Sequence, residues 1–292
     1  MARSALRTSP ASGWRMLGFA SAVMLIVALA SLPVGEALHG GFQSERPFAA
    51  AFARGALIVA VASQPAPALN VGKVDRAARM PDGFAAALAQ ALGQRAGLPV
   101  TLLLADSAAA RAALREGRAD AAIAGMPLAP DDAVAYAPTA YTSGRGMALV
   151  LRHGVVRDWD DLSGRTVCAS RNSPFAGAAA HRSHARVVQF DRPLDALLAF
   201  QAGECAALVE DESAIRKLLR QPDWAYYRAL SGTLAPASAF IAMRAGDIAS
   251  AVFVDGIVQG WRRQRWLAAV REDQATQLSF DMFNAQNDLY CH

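Results

Sequence analysis

Twice along the chain a helix-length stretch stops at a glycine and gives way to a strand-length apolar run, and this repeated unit restricts the fold more than any other feature. The first copy closes its helix over Ala113 to Glu116, places Gly117 where a left-handed residue stops a helix, and continues into Ala119 to Met126. The second passes from Leu194 to Ala202 through Gly203 into Ala206 to Val209 and ends on the acids Glu210 and Asp211. Apolar runs with so little alternation belong to strands covered on both faces, as in parallel sheets. Two such units predict two similar lobes. The first unit is followed by a Pro-rich loop, Pro127 to Pro138, and open α/β sheets bind ligands beyond the carboxyl ends of their strands, where such loops sit.

The rest of the body alternates in the same way. Leu57 to Ala62 reads as a strand, and Phe84, Leu88, Ala91 and Leu92 recur at helical spacing between Gly83 and Gly97, predicting a helix over Phe84 to Ala96. Val100 to Leu104 is a second strand, Ser107 caps a second helix, and Ala119 to Met126 is the third strand. Gly146 to Arg152 is a further apolar strand, after which the pattern restarts with a turn at Trp159 to Gly164 and a strand over Arg165 to Ser170. Helices through Ala176 to Ser183 and from Pro193, strands at Arg186 to Phe190 and up to Asp211, and a helix through Leu219 follow. Phe240 to Met243 reads as a lone strand, and one long helix from Ile248 to about Val270 closes the body; no role is derivable for the stretch after Asp273. The expected architecture is α/β, with one lobe over 55–150 plus 240–292 and the other over 151–239, the chain crossing between them twice.

Ahead of this body lies an apolar run, Met16 to Val34, preceded by Arg3, Arg7 and Arg15 and followed by Gly35, Glu36 and Ala37. A basic start, an apolar stretch and small residues describe an export signal over 1–37 cleaved after Ala37, or an uncleaved membrane anchor of nearly spanning length. Either places the body outside the cytoplasm, with residues 38–54 as a linker. Removing 1–37 takes away three Arg and one Glu, so the formal charge falls from +4 to +2 and no nucleic-acid partner is implied. Three cysteines, Cys168, Cys205 and Cys291, are compatible with one disulfide in an oxidising compartment. Cys168 and Cys205 fall on strands that a doubly wound order would set side by side.

The body resembles the amino-acid type of extracytoplasmic solute-binding protein that feeds ABC transporters. The likeness is carried by Gly83-Phe84, by Gly117 to Asp120 leading into Ala124-Gly125-Met126, by Pro130-Asp131, by Tyr141 with Ser143-Gly144, by Leu162 to Val167, by Gly203 leading to Asp211, and by Ile241 to Asp247 with Trp266. The resemblance implies a periplasmic binding protein-like fold of two lobes, each a mainly parallel sheet flanked by helices, joined by a two-segment hinge. It implies a small-molecule solute held between the lobes, with Gly125, Met126 and Tyr141 lining the site and ABC transporter membrane subunits or a periplasmic partner protein as partners. Membrane contact is expected only through an uncleaved N-terminal anchor, and no cofactor is expected.

Two anchors of that family bear on the ligand. Its acid for the solute ammonium corresponds to Asp211; from the residues alone, Asp211 serves equally well as the cap of the helix starting at Glu212. Its arginine for the solute carboxylate has no counterpart, since Pro127-Leu-Ala-Pro-Asp-Asp132 places Asp132 where the guanidinium would stand. Exchanging a cation for an anion reverses the local field, so free amino acids are expected to bind poorly. Arg171, ahead of Asn172 and Ser173, is the candidate to restore positive charge. A ligand-free accessory role, docking to a periplasmic redox enzyme or sensor, explains the lost anchor equally well.

Other chemistry has little support. His181 and His184 sit three apart on a predicted helix but have no adjacent third ligand, so no metal site is expected. No nucleophile elbow, phosphate-binding loop or Cys-x-x-Cys pair appears, and the chain is not expected to be an enzyme. Trp261 and Trp266, with Arg262, Arg263 and Arg265 between them, read as a helix that packs Trp261 and one or two neighbours inward with its guanidinium groups toward water, in preference to an anion or membrane contact.

Overall fold

The computed structural model describes residues 46–66, 78–129 and 134–290, whose principal strands form two five-stranded sheets. In chain order the first region contributes α1 (Ala49–Arg54), β1 (Leu57–Val61), a small hairpin of β2 (Ser63–Pro65) and β3 (Arg79–Pro81), α2 (Gly83–Ala96), β4 (Val100–Leu104), α3 (Ser107–Arg115), β5 (Ala121–Ile123) and β6 (Val134–Tyr136). The second region contributes β7 (Gly146–Leu151), β8 (Thr166–Ser170), α4 (Ala176–Ser183), β9 (Arg186–Phe190), α5 (Pro193–Gln201), β10 (Ala207–Asp211), α6 (Glu212–Leu218) and β11 (Tyr227–Ala229). The chain then returns through β12 (Ala242–Arg244) to the first sheet and continues into α7 (Ile248–Arg263) and α8 (Trp266–Tyr290). The first sheet has the order β4-β1-β5-β12-β6 and the second β11-β7-β10-β8-β9.

Local chemistry sets these boundaries. The aliphatic β1, Leu-Ile-Val-Ala-Val, lies between parallel neighbours β4 and β5, where burial on both faces rewards branched side chains. Asp82 caps α2 by accepting the Ala85 N–H at 2.9 Å, and left-handed Gly97 ends it. Asp106, one residue earlier than expected, caps α3 by accepting the Ala109 N–H. The disulfide joins Cys168 on β8 to Cys205 just ahead of β10, with Cα atoms 5.7 Å apart across two parallel neighbours.

Four sequence expectations are corrected. The stretch before Gly55 is not wholly a linker: Phe48 is buried, donates its N–H to Ser250 Oγ at 2.7 Å, and leads α1 into the first core. Gly146–Leu151, expected in the first lobe, pairs antiparallel with β10 and β11 in the second sheet, because a strand's own pattern does not encode which sheet receives it. The run from Ala119 to Met126 is a strand only over Ala121–Ile123. The single closing helix is two, broken where Arg265 takes a left-handed φ of 56°, and the second continues to Tyr290.

The lobes connect through two adjacent crossings. Tyr141 N–H donates to Ala239 C=O at 3.0 Å, Ala239 N–H to Thr142 Oγ1 at 3.1 Å, and Gly146 N–H to Leu234 C=O at 2.9 Å, so residues 142–145 and 235–239 run side by side. Arg262 and Asp255 of α7 hold this pair, Arg262 donating to Ala140 and Thr142 C=O and Asp255 accepting from Thr139 N–H. No described helix is long and apolar enough to cross a membrane; Met16 to Val34 lies outside the described residues.

Candidate functional site

The site forms where α8 passes over the seam between the lobes. Along α8 a helical stripe runs Leu267, Val270, Arg271, Gln274, Ala275, Leu278 and Met282. Leu267 belongs to the first-lobe core, whereas Ala275, Leu278 and Met282 belong to the second, packed with Ile215, Leu218 and Trp224. Lys217 of α6 pairs with Glu272 at 2.8 Å, and Gln221 hydrogen-bonds Ser279, so the middle of α8 is fastened to the second lobe. Arg271 and Gln274, the polar members of the stripe, fall over the seam.

From the first lobe, the capping geometry at Asp82 aims the start of α2 at this point. The Arg271 guanidinium carbon lies 4.4 Å from the centre of the Phe84 ring, a cation–π arrangement, and Phe84 leans on Tyr141 at 6.5 Å between ring centres. The Gln274 amide covers Gly83 so closely that a Cβ there would lie 2.4 Å from Oε1. Tyr141 Oη accepts the Gly125 N–H at 3.0 Å, and burial pushes its hydroxyl up to about 12. Met126 is fully buried, and its carbonyl accepts the Phe240 N–H beside the hinge.

From the second lobe, β10 delivers Glu210 and Asp211. Asp211 takes the capping role, Oδ1 accepting the Ser213 N–H at 2.9 Å at the start of α6, while Oδ2 lies 3.5 Å from Arg271 Nη1. Gly144, on the first crossing and left-handed at φ 86°, lets both approach, since a Cβ there would stand 3.1 Å from Asp211 Oδ2 and 3.3 Å from Arg271 Cδ. Arg271 Nε also donates to Ser143 Oγ at 3.4 Å. Glu210 Oε1 accepts the Asp211 N–H, while Oε2 is buried without a hydrogen-bond partner.

The electrostatics follow from this crowding. Burial, with Asp211 and Asp82 adding like charge, pushes the Glu210 carboxyl up to about 7 against the pull of Arg271. Burial likewise raises the Asp82 carboxyl, offset by backbone N–H groups, by Arg271 and by a hydrogen bond from the Asn172 side chain across the seam. Arg271 is itself lowered by burial, with Asp211, Glu210 and Asp82 opposing. Three carboxyls and an aromatic face therefore surround one guanidinium. Such an arrangement favours a cation, and the one it holds here is the Arg271 guanidinium.

The expected residues divide. Asp211, Gly125, Met126, Tyr141 and Asn172 are brought to the seam or its hinge. Arg171 is not: it pairs with Asp191 at 2.6 Å on the surface, and Ser173 Oγ serves as an acceptor for the Phe175 N–H. Asp132 lies outside the described residues. His181 is in the last turn of α4, and His184 forms its left-handed C-cap. Sequence reasoning missed Arg271 and Gln274, and took Phe84 for core alone. The available signal was a charged and an amide side chain at positions 271 and 274, where the stripe from Leu267 to Leu278 calls for apolar residues.

Two lobes of mixed sheets, each with two parallel and two antiparallel pairings where a mainly parallel sheet was expected, joined by a double crossing, define the type II periplasmic binding protein-like fold, that of the substrate-binding proteins of amino acid ABC transporters. Among solved structures, the substrate-binding protein AbpA from Streptococcus pneumoniae bound to L-arginine is similar at TM-score 0.56 and 18% identity, covering 80% of this chain and 99% of its own. A mutant of ArgBP from T. maritima is similar at TM-score 0.54 and 20% identity, covering 77% and 97%. An ancestral arginine-binding protein bound to glutamine is similar at TM-score 0.52 and 20% identity, covering 75% and 97%. No family model matches the chain, and no curated protein matches it. At these identities the likeness establishes the fold.

Proposed function

We propose that the chain is an exported, periplasmic solute-binding protein that closes two lobes on a small cationic or hydrogen-bonding solute and presents it to the membrane subunits of an ABC transporter. One observation carries the reading: Asp82, Glu210, Asp211 and Phe84 converge from both lobes on a single point, and the group found there is a guanidinium. The solved structures of this fold that hold L-arginine support it, as does the export-type N terminus. The test is titration of the mature protein, by calorimetry and thermal shift, with L-arginine, agmatine and putrescine against L-glutamate and L-leucine. Cations are expected to raise the midpoint and Asp211→Asn to abolish the effect. A preference for L-glutamate, or no binding by any member of the set, would count against the reading.

A second reading, a ligand-free accessory that docks on a periplasmic partner protein, is favoured by a different observation: the seam is already filled by Arg271 and Gln274. Purification from the periplasm separates the two, since a stoichiometric protein companion favours the accessory and a bound small cation favours the carrier.

A further inference from the structure

We propose that α8 is a tethered occupant of the interlobe site: Arg271 supplies from within the chain the guanidinium that the two lobes enclose, and a free solute enters only when α8 is displaced. The inference rests on the reading of the seam as a solute site and adds its control. The contacts of Arg271 are those of a ligand more than those of a structural side chain. It reaches first-lobe Phe84, hinge Ser143 and second-lobe Asp211 together, so its one head group touches every part that closure brings together. It makes no close bidentate pair; its nearest carboxylate oxygen is 3.5 Å away, and that oxygen has no hydrogen-bond partner. A second buried carboxylate oxygen, Glu210 Oε2, is also left without one. Two partnerless carboxylate oxygens beside a single guanidinium mark a site whose acceptors exceed what its resident donor satisfies.

The attachment of α8 makes displacement feasible. Its hold on the second lobe is broad and apolar, through Leu278 and Met282, with Lys217 pairing to Glu272. At the seam it meets the first lobe through Arg271 on Phe84 and Gln274 on Gly83, with Leu267 in the first core one turn nearer its start. Withdrawing α8 from the seam therefore breaks these two side-chain contacts together with the Arg271–Asp211 pair. As long as both are made, α8 also straps the lobes shut.

The test compares wild type with Arg271→Ala, and with Arg271→Gln as a variant that retains bulk and hydrogen bonding should the smaller side chain unfold the protein. Methylguanidinium, the head of the Arg271 side chain, and L-arginine are titrated by calorimetry. The variants are expected to bind at least tenfold more tightly than wild type. Amide exchange in α8 of wild type is expected to speed up on adding L-arginine to saturation. Equal affinity in wild type and variants, or binding by wild type with α8 exchange unchanged, overturns the tethered occupant while leaving the solute site standing. Absence of binding by wild type and by both folded variants overturns the inference together with the solute reading, and leaves the accessory role.

Discussion

Arg271 Nη1 lies 3.5 Å from Asp211 Oδ2, joining the C-terminal helix to the carboxyl end of the second lobe's central strand, and both side chains are close to nine-tenths buried. Removing one member of such a pair costs more than the pair contributes, because the other stays buried without its counter-charge. Asp211→Asn keeps an oxygen for the Ser213 N–H but removes the charge, and is expected to lower stability by about 1–3 kcal/mol in urea unfolding. Asp211→Ala also loses the cap and is expected to cost about 1 kcal/mol more. If Asp211→Asn unfolds at the same urea concentration as wild type, the pair makes no net contribution.

The contact of Gln274 with Gly83 gives a paired prediction. A methyl group on residue 83 would fall 2.4 Å from Gln274 Oε1, so Gly83→Ala forces the amide away from the start of α2. Shortening the amide by Gln274→Ala should relieve that conflict. A double-mutant cycle is expected to show the two changes coupled by about 1 kcal/mol, whereas strict additivity would mean that they do not meet in solution.

Acid titration provides a third. The Glu210 carboxyl is pushed up to about 7 in the folded chain from an ordinary value of 4.5, so over that interval the folded state holds a proton that the unfolded state releases. The stabilisation is full below about pH 4.5 and is lost as pH rises through about 7, amounting to roughly 1–3 kcal/mol. Asp82, raised by burial, acts in the same direction, and Arg271 and Asp211 are the other charges facing Glu210. Glu210→Gln should flatten the slope between pH 5 and 7.5 measured by chemical unfolding; an unchanged slope would assign it to other groups.

The bridge between Cys168 and Cys205 spans a sequence separation of 37 residues. Reduction is expected to cost about 2–4 kcal/mol, chiefly by releasing the unfolded chain. Unfolded, non-reduced protein retaining Cys291 should show one reactive thiol and reduced protein three, since the chain has three cysteines. Three thiols before reduction would exclude the bridge.

How much of this was legible differs from element to element. Val100–Leu104, Ala176–Ser183 and Arg186–Phe190 were delimited to the residue, because their ends coincide with local stops and their patterns need no distant partner. Asp211 was read as a strand end from its position after an apolar run, and was set in the cleft only through the family resemblance. Gly146–Leu151 was assigned to the wrong sheet, since its partners lie some sixty and eighty residues downstream and nothing local selects them. Arg171 was a false lead: Asp191, twenty residues on, takes its guanidinium at the surface. The role of α8 was hidden for a different reason. Its stripe changes lobes along its length, so its polar positions read as poor amphipathicity until both lobes are in place.

The two-residue elbow between α7 and α8, Gln264 and left-handed Arg265, gives the last helix the mechanics of a lever. A rod of 25 residues is about 37 Å long, and residue 271 stands only about 9 Å from the pivot. A swing of about 15° at Arg265 would carry the far end roughly 10 Å but residue 271 only about 2–3 Å, by the same rise per residue. Whatever grips α8 at the exposed Phe280 and Phe283, about 22–27 Å from the pivot, therefore has about a 2.5- to 3-fold mechanical advantage over the guanidinium at the seam.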